Sequence, residues 1–332
     1  MTAYAHPLSP EAMTRVLGAI MRGQSSPDDI RTFLTELADR GETADEIAAA
    51  VGVLRTHAVK LPLSKPYELC DTCGTGGDQQ GTINVSTLAA LVAAGAGVRI
   101  AKHGNRAASS RCGSADLLEM LGVDINASPA LVARCIEEAG FGFCFAPAFH
   151  PAMKIVAPIR KALNRRTLFN LIGPLANPAP LMFQLVGVSE ARLLQPIAEA
   201  LQRLGIRHGL VVHGRDGLDE VTTTSETEAL ELRAGRLAPL TMTPEQLGVP
   251  RASLESLRGG DAAHNARLTL EILGGVVSPM ADLVAANAGC AIYVADRAAS
   301  PAEGVKQAKA AIASGAAMRI LERATEVSRH AR

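Results

Sequence analysis

The chain has 332 residues, 48% of them hydrophobic, which is enough to bury a major core and a second, smaller one. Its 33 basic and 33 acidic residues balance, so the composition argues against a nucleic-acid-binding surface. No apolar run reaches membrane-spanning length and no basic stretch precedes an apolar one near the N-terminus, so we expect a cytoplasmic protein with no membrane partner. The six scattered cysteines are typical of reduced thiols in that compartment.

Three apolar stripes with helical spacing occupy residues 10–60. Each follows a helix start signal, namely Ser9-Pro10, Ser26-Pro27 and the capping-box pair Thr43 and Glu46. The prolines of residues 60–66 end this pattern. We therefore predict a small helical domain over residues 1–65, joined by helices near residues 160–180, and a larger domain over residues 66–332.

From residue 67 onward, short apolar runs alternate with helical patterns. The runs predicted as strands cover residues 67–73, 98–103, 141–147, 184–188 and 209–214. The helices predicted between them cover residues 86–97, 128–140 and 191–205. This alternation indicates an α/β fold with a mostly parallel central sheet, whose ligands bind beyond the carboxyl ends of the strands.

The first predicted strand leads into the glycine-rich stretch CGTGGDQQGTINVST, residues 73–87. Its glycines let the backbone turn sharply and bring N–H groups to a ligand, and the hydroxyls of Ser86 and Thr87 extend this donor surface. Such a surface favours an anion, although the spelling fits neither the GxGxxG dinucleotide fingerprint nor the Walker loop. A tight strand-to-helix turn without a ligand is the alternative.

Cys70 and Cys73 in the same strand have the spacing of a redox or half-zinc motif. Residues three apart in a strand point to opposite faces, and no second CxxC or HxxxH completes four zinc ligands. We therefore favour a structural interpretation of this pair.

The second predicted strand leads into AKHGNRAASSRCGSADLLEML, residues 101–121. Cations, hydroxyls and a helix start together indicate a second anion site, carried by Lys102, His103, Asn105, Arg106, Ser109, Ser110 and Ser114. The alternative is a solvated charged loop in which Ser114 serves only as an N-cap. Two such loops after neighbouring strands suggest one ligand with two phosphate ends.

Two further segments carry candidate side chains. Asp219 and Glu220 follow the strand predicted at 209–214, and adjacent carboxylates suit Mg²⁺ held together with phosphate oxygens, although an isolated pair of this kind is usually solvated. Arg160 lies in an apolar frame where its guanidinium could bind a planar carboxylate through two parallel hydrogen bonds. The alternative for Arg160 is a surface side chain whose stem covers apolar residues.

These motifs, in order and spacing, resemble the anthranilate phosphoribosyltransferase family: CGTGGD, NVST, KHGNRAASS, GSADLLEMLG, HPAMK, APIRK, RTLFNLIGPLANP and GLDEVT. The resemblance runs from the N-terminal helices to about residue 325. It implies a small α-helical domain, a larger α/β domain and a homodimer through the helical parts. It also implies transfer of a phosphoribosyl group from 5-phosphoribosyl 1-pyrophosphate to anthranilate in tryptophan biosynthesis, with two Mg²⁺ ions bound alongside the diphosphate.

The resemblance assigns site residues one by one. Contacts to 5-phosphoribosyl 1-pyrophosphate fall on Gly74, Gly77, Asp78, Thr82, Asn84, Val85, Ser86, Thr87, Lys102, His103, Gly104, Asn105, Arg106, Ala107, Ala108, Ser109, Ser110 and Ser114. Mg²⁺ falls on Ser86, Asp219 and Glu220, and anthranilate on Gly74, Asn105 and Arg160. The sequence departs from the family pattern at Gln79-Gln80, where many members begin with glycine, and at Cys112, where serine or threonine is usual.

The mechanism implied is mainly positioning of a neutral amine opposite the leaving pyrophosphate, with Mg²⁺ stabilising the growing negative charge. Asp78, Lys102, Asp219 and Glu220 then supply electrostatics rather than covalent chemistry, and His103 is a minor candidate for taking the amine proton. One rival is a pyrimidine nucleoside phosphorylase, whose K-x-S-x-G-G phosphate loop this sequence lacks. The other is a non-catalytic nucleic-acid-binding paralogue, for which a basic excess would be expected.

Overall fold

The N-terminal part of the computed structural model consists of three helices, and the structure describes residues 4–78, 80–107 and 111–330. The helices are α1 (Pro10–Met21), α2 (Pro27–Arg40) and α3 (Ala44–His57). Ser9 and Ser26 accept hydrogen bonds from the first helical amides of α1 and α2, and Thr43 forms a reciprocal capping box with Glu46. The three predicted helices and their start signals are therefore confirmed.

The rest of the chain alternates strands and helices as the sequence predicts. The strands are β1 (Leu69–Gly74), β2 (Arg99–Gly104), β3 (Phe141–Phe145), β4 (Leu181–Gly187), β5 (His208–Gly214), β6 (Thr227–Arg233) and β7 (Arg236–Met242). The helices are α4 (Val85–Gly95), α5 (Ser114–Met120), α6 (Pro129–Arg134), α7 (Ala146–Phe149), α8 (Ala157–Leu163), α9 (Leu168–Ile172), α10 (Leu194–Arg203), α11 (Pro244–Leu247), α12 (Ala262–Leu273), α13 (Pro279–Val294), α14 (Pro301–Ala313) and α15 (Ala316–Arg329).

The seven strands form one sheet in the order β3-β2-β1-β4-β5-β6-β7. The first five strands in that order pair in parallel, and β6 and β7 add an antiparallel hairpin at one edge. The α/β class with a mostly parallel sheet is thus confirmed. Since β1 lies near the middle of the parallel part, the loops that follow β1, β2 and β4 meet at one edge of the sheet.

Two details differ from the sequence prediction. Residues 227–242 form the β6–β7 hairpin, which was not predicted because β6 carries Glu228, Glu231 and Arg233 and β7 contains Pro239. The helix predicted over 128–140 ends as α6 at Arg134 and continues as a π-helical turn over Cys135–Ala139, closed by left-handed Gly140.

Two apolar clusters lie on opposite faces of the sheet, and Cys70 and Cys73 belong to different ones, as expected for positions three apart in a strand. One cluster joins α1, α2 and α3 to α8, α9 and one face of the sheet. The division into residues 1–65 and 66–332 remains a prediction. All six cysteines are buried and none of them forms a disulfide bond. None of the helices within the described ranges is long and apolar enough to cross a bilayer.

Candidate active site

A cleft of about 640 Å³ opens at the carboxyl ends of β1 and β2. Its walls come from the loops after these strands, the first turn of α4, the start of α5 and the segment from α7 to α9. The sequence-predicted residues that line it are Gly74, Gly77, Asp78, Asn84, Ser86, Thr87, Lys102, His103, Gly104, Asn105, Arg106, Ala107, Ser114 and Arg160. The two candidate anion loops and the candidate carboxylate-binding arginine therefore face one space.

Four other predicted residues lie beside or behind this lining. Val85 is buried at the start of α4, and Thr82 forms an isolated antiparallel bridge with Arg258. Asp219 and Glu220 stand behind the glycine-rich loop. Ala108, Ser109 and Ser110, together with Gln79, lie outside the described residues.

The glycine-rich loop is shaped around Asp219. Gly76 and Gly77 have positive φ angles of 65° and 88°, which side chains rarely adopt. The Gly76 N–H donates to Asp219 Oδ2 at 2.7 Å. A Cβ at Gly74 would lie 2.6 Å from the same oxygen, and one at Gly187 would lie 1.6 Å from the Asp219 carbonyl oxygen. Glycine at the ends of β1 and β4 thus makes room for this aspartate.

Three carboxylates are concentrated here. Burial, and then the charge of Asp78, raises the pKa of Asp219 to about 7, and burial followed by Asp219 raises the pKa of Glu220 well above its usual range. Asp219 is only 8% exposed, so the alternative of a simply solvated pair is wrong for this residue. A bound cation would offset the repulsion between these neighbouring carboxylates.

The donor set fits Mg²⁺. The backbone of Ser86 is close enough to Glu220 to lower the pKa of that carboxyl slightly, so Ser86 lies near Glu220 and its chain neighbour Asp219. In the part of the chain that the structure describes, no three His, Cys, Asp or Glu side chains form a metal-binding group by themselves. The Asp219 and Glu220 carboxylates, with the Ser86 hydroxyl, are oxygen donors of the kind taken by an ion that binds one or two carboxylates and completes its shell with water and ligand oxygens.

Lys102 is a fixed buried charge rather than a mobile one. Its side chain is 2% exposed, and Nζ donates to the Thr72 carbonyl at 2.6 Å and reaches Ser86 Oγ at 3.4 Å. Behind it lies Asp71, fully buried, with its pKa raised to about 6 by burial against the lowering effect of the Lys102 charge. Asn177 Nδ2 donates to the Asp71 carboxylate at 2.8 Å, so this acid is held in place.

His103 is neutral. Burial and the neighbouring His150 lower the pKa of His103 to about 3. Its Nδ1 lies 3.2 Å from the Gly173 carbonyl, which can only accept, so Nδ1 carries the proton and Nε2 is an acceptor. Nε2 is buried, and no described residue hydrogen-bonds to it. The His150 ring contacts His103 edge to face at 5.1 Å, and burial lowers the His150 pKa as well.

The loop after β2 is held by α5. Helix α5 begins at Ser114 with Gly113 as N-cap, so the alternative in which Ser114 is the N-cap is wrong. Ser114 Oγ instead donates to the Asn105 carbonyl at 3.2 Å. A Cβ at Gly104 would lie 2.2 Å from Ser114 Oγ, which explains the glycine at the end of β2.

The Arg106 guanidinium forms ion pairs with two carboxylates of α5. Its guanidinium pairs with Asp116 at 2.9 Å and with Glu119 at 2.8 Å. Asp116 also accepts from the N–H groups of Gly113 and Ala107. Arg106 would therefore have to leave or share these partners to contact a phosphate.

Arg160 on α8 is half-buried and lines the cleft, as Lys102 on β2 does. Its guanidinium lies 5.3 Å from the centre of the Phe169 ring. Burial lowers its pKa. No described side chain forms a hydrogen bond or ion pair with this guanidinium, in contrast to Arg166, which pairs with Glu190. An unpaired, partly desolvated guanidinium beside an aromatic ring suits a planar anionic ligand.

The structure adds residues that sequence reasoning did not assign to the site. His150, Met153, Phe169 and Asn170 line the same cleft. The sequence signals that pointed to this segment are the family motifs HPAMK and RTLFNLIGPLANP, which contain these four residues. Which of its side chains face the cleft depends on how α8 and α9 pack against α2 and α3.

Comparison with known proteins gives matches over nearly the whole chain. Residues 3–58 match the helical bundle domain of a glycosyl transferase family, and residues 66–318 match the a/b domain of that family. An anthranilate phosphoribosyltransferase of Rubrobacter xylanophilus is 51% identical over 98% of this chain and 95% of its own length.

Solved structures agree with the sequence comparison. The crystal structure of anthranilate phosphoribosyltransferase from Thermus thermophilus superposes with a TM-score of 0.94 at 48% identity, covering 98% of this chain and 97% of that one. The enzyme of Saccharomyces cerevisiae, solved in complex with PRPP and Mg, superposes with a TM-score of 0.88 at 29% identity, covering 97% and 93%.

Proposed function

The chain belongs to the anthranilate phosphoribosyltransferase family, and we propose on that basis that it transfers the phosphoribosyl group of 5-phosphoribosyl 1-pyrophosphate to the amine of anthranilate, in tryptophan biosynthesis. The products are N-(5-phosphoribosyl)anthranilate and pyrophosphate. The observation that carries the proposal is the convergence of the two candidate anion loops and an unpaired arginine on one cleft, with the buried Asp219 carboxylate held against the first of these loops.

The donor half of the site lies at the ends of β1 and β2. The backbone N–H groups of the glycine-rich loop and the hydroxyls at the start of α4 offer donors to a diphosphate. Ser86, Asp219 and Glu220 would hold Mg²⁺, with two ions bound alongside the diphosphate. A bound Mg²⁺ neutralises charge on the departing pyrophosphate.

The acceptor half lies towards α8. Arg160 binds the anthranilate carboxylate through two parallel hydrogen bonds, and Phe169 packs beside the same guanidinium. Gly74 and Asn105 complete the proposed acceptor contacts from the loops after β1 and β2. The amine is thereby placed between this arginine and the diphosphate loops.

In the proposed reaction a C1–N bond forms as the C1–O bond to pyrophosphate breaks, and the proton that the amine loses passes to the departing pyrophosphate or to solvent. The aromatic amine is neutral at pH 7, so the chain mainly orients the reactants, and Lys102 and Asp78 set the electrostatic field. His103 Nε2 is an acceptor within the cleft wall, but the low pKa of His103 makes it a weak base. Its role is therefore to orient a donor rather than to drive proton removal.

The family resemblance also extends to assembly and location. We include in the proposal a homodimer formed through the helical parts and a cytoplasmic location. Size-exclusion chromatography with light scattering tests the dimer.

The experiment that tests the function mixes protein, Mg²⁺, 5-phosphoribosyl 1-pyrophosphate and anthranilate, and follows anthranilate fluorescence. We expect fluorescence to fall only when the diphosphate and the divalent ion are both present. Consumption in excess chelator would contradict the metal assignment. Phosphorolysis of a pyrimidine nucleoside without anthranilate transfer would favour the nucleoside phosphorylase alternative instead.

A further inference from the structure

Two loops meet behind the diphosphate site, and two hydrogen bonds between their described residues join them. The first loop follows β1 and is described over residues 75–78 and 80–84, and the second connects β5 to β6 (residues 215–226). One bond runs from the Gly76 N–H to Asp219 Oδ2 at 2.7 Å. The other runs from Gln80 Nε2 to the main-chain carbonyl of Asp216 at 3.2 Å.

The second loop is a stiff unit built around Asp216. Asp216 Oδ1 accepts from the Leu218 N–H at 3.1 Å, and Oδ2 accepts from the hydroxyls of Thr222 and Thr224. Gly217 takes a positive φ of 92°, which lets the chain reverse at this point. A displacement at Asp216 is therefore passed on to Asp219 and Glu220 rather than absorbed within the loop.

The two hydrogen bonds between the loops differ in whether their acceptor could also bind a metal ion. The Gly76 bond ends on a carboxylate oxygen of Asp219, which is the kind of ligand that Mg²⁺ takes. The Gln80 bond ends on a backbone carbonyl of a residue outside the metal set, so it persists whether or not Asp219 binds an ion. The Gln80 amide nitrogen also lies only 3.2 Å from where a Cβ on Gly217 would stand, so it rests directly on the turn.

We propose that Gln80 is a positioning residue that sets the distance between the diphosphate loop and the metal carboxylates. Its side-chain amide fixes Asp216, and Asp216 fixes the loop that presents Asp219 and Glu220. This inference rests on the proposed function, because it takes the ion and the diphosphate as joint ligands of the site. Gln80 itself neither contacts substrate nor binds metal.

The test compares Gln80→Met, which has similar length but no donor, with Gln202→Met as a matched control. Gln202 Nε2 donates to the Gly235 carbonyl at 2.8 Å on the exposed far side of the fold, so the same bond type is lost away from the cleft. The readouts are Mn²⁺ binding followed by electron paramagnetic resonance with 5-phosphoribosyl 1-pyrophosphate present, the Mg²⁺ concentration for half-maximal rate, and the KM for anthranilate.

Loss of one hydrogen bond predicts Mn²⁺ binding weakened by about three- to tenfold and a Mg²⁺ requirement raised by the same factor in Gln80→Met. The KM for anthranilate should match that of the wild type. Gln202→Met, which loses a bond of the same kind, should share any small fall in melting temperature but change neither Mn²⁺ binding nor the Mg²⁺ requirement. Gln80→Ala, which also lacks the donor, should reproduce the metal effect and replaces Gln80→Met if that variant does not fold.

If the wild type is active and both Gln80 variants bind Mn²⁺ as tightly as it does, the inference about Gln80 is wrong but the proposed function stands. A wild type that binds Mn²⁺ and the diphosphate but shows no transfer would overturn the proposed function, and the Mn²⁺ comparison would still decide the role of Gln80. A wild type that binds no Mn²⁺ under these conditions would refute both.

Discussion

His103 should make the free energy of unfolding fall as the pH drops below neutrality. In the folded protein the pKa of His103 is about 3, whereas the ordinary value is 6.5. A histidine whose pKa is lowered by folding stabilises the native state fully above its unfolded pKa, and this stabilisation is lost as the pH falls towards the folded pKa. Between about pH 7.5 and about pH 5 the loss is about 2 kcal/mol, and its limit below pH 3 is about 5 kcal/mol.

The assay is urea unfolding of the substrate-free protein, followed by circular dichroism at both pH values. His103→Gln removes the titrating ring while keeping a donor for the Gly173 carbonyl, and His6→Gln, at an exposed position, controls for the substitution itself. The wild type should lose about 2 kcal/mol more than His103→Gln on acidification. Equal losses in the two proteins, or a His103 ring whose NMR signals titrate near pH 6.5, would refute the reasoning.

Three further outcomes concern the cleft. Arg160→Ala should raise the KM for anthranilate about thirtyfold to several hundredfold in initial-rate assays, since a charge-assisted bidentate contact is worth roughly 2–4 kcal/mol. Arg160→Lys should recover only part of this loss, because an ammonium lacks the planar fork. An unchanged KM in Arg160→Ala would exclude the contact. Asp219→Asn and Glu220→Gln should lower kcat and raise the Mg²⁺ requirement with an unaltered circular dichroism spectrum, and unchanged metal dependence would count against both. Gly187→Ala should lower kcat/KM at least about tenfold, because its Cβ collides with the Asp219 carbonyl; a fully active variant would show that this loop yields freely.

The fold could be predicted from the sequence where local signals agree with tertiary packing. Ser9, Ser26 and the Thr43–Glu46 capping box mark helix starts that need no tertiary information, and all three are present. The parallel strands were predictable because they are buried on both faces and read as apolar runs. The β6–β7 hairpin was not, because β6 carries charged residues at Glu228, Glu231 and Arg233 and the edge strand β7 contains Pro239.

The candidate site was predictable as a set of loops but not as a set of contacts. Burial of Asp219 depends on the glycine at position 187, which is distant in sequence and brought close only by β4. The neutral state of His103 likewise depends on burial and on His150, and its tautomer depends on the Gly173 carbonyl, both residues coming from segments beyond β3. The pairing of Arg106 with Asp116 and Glu119 is an (i, i+10) and (i, i+13) relation that no helical periodicity predicts.

The burial of every cysteine has a practical consequence for labelling the protein with fluorescent dyes. Burial raises the pKa of all six thiols, so thiol-reactive dyes at neutral pH would meet few thiolates on the native chain. A cysteine introduced at an exposed position such as Lys161 or Arg111 should then be labelled selectively without first removing the natural ones. A dye pair on those two segments, which adjoin the cleft lining, would report any change in the distance across it on ligand binding as an energy-transfer signal.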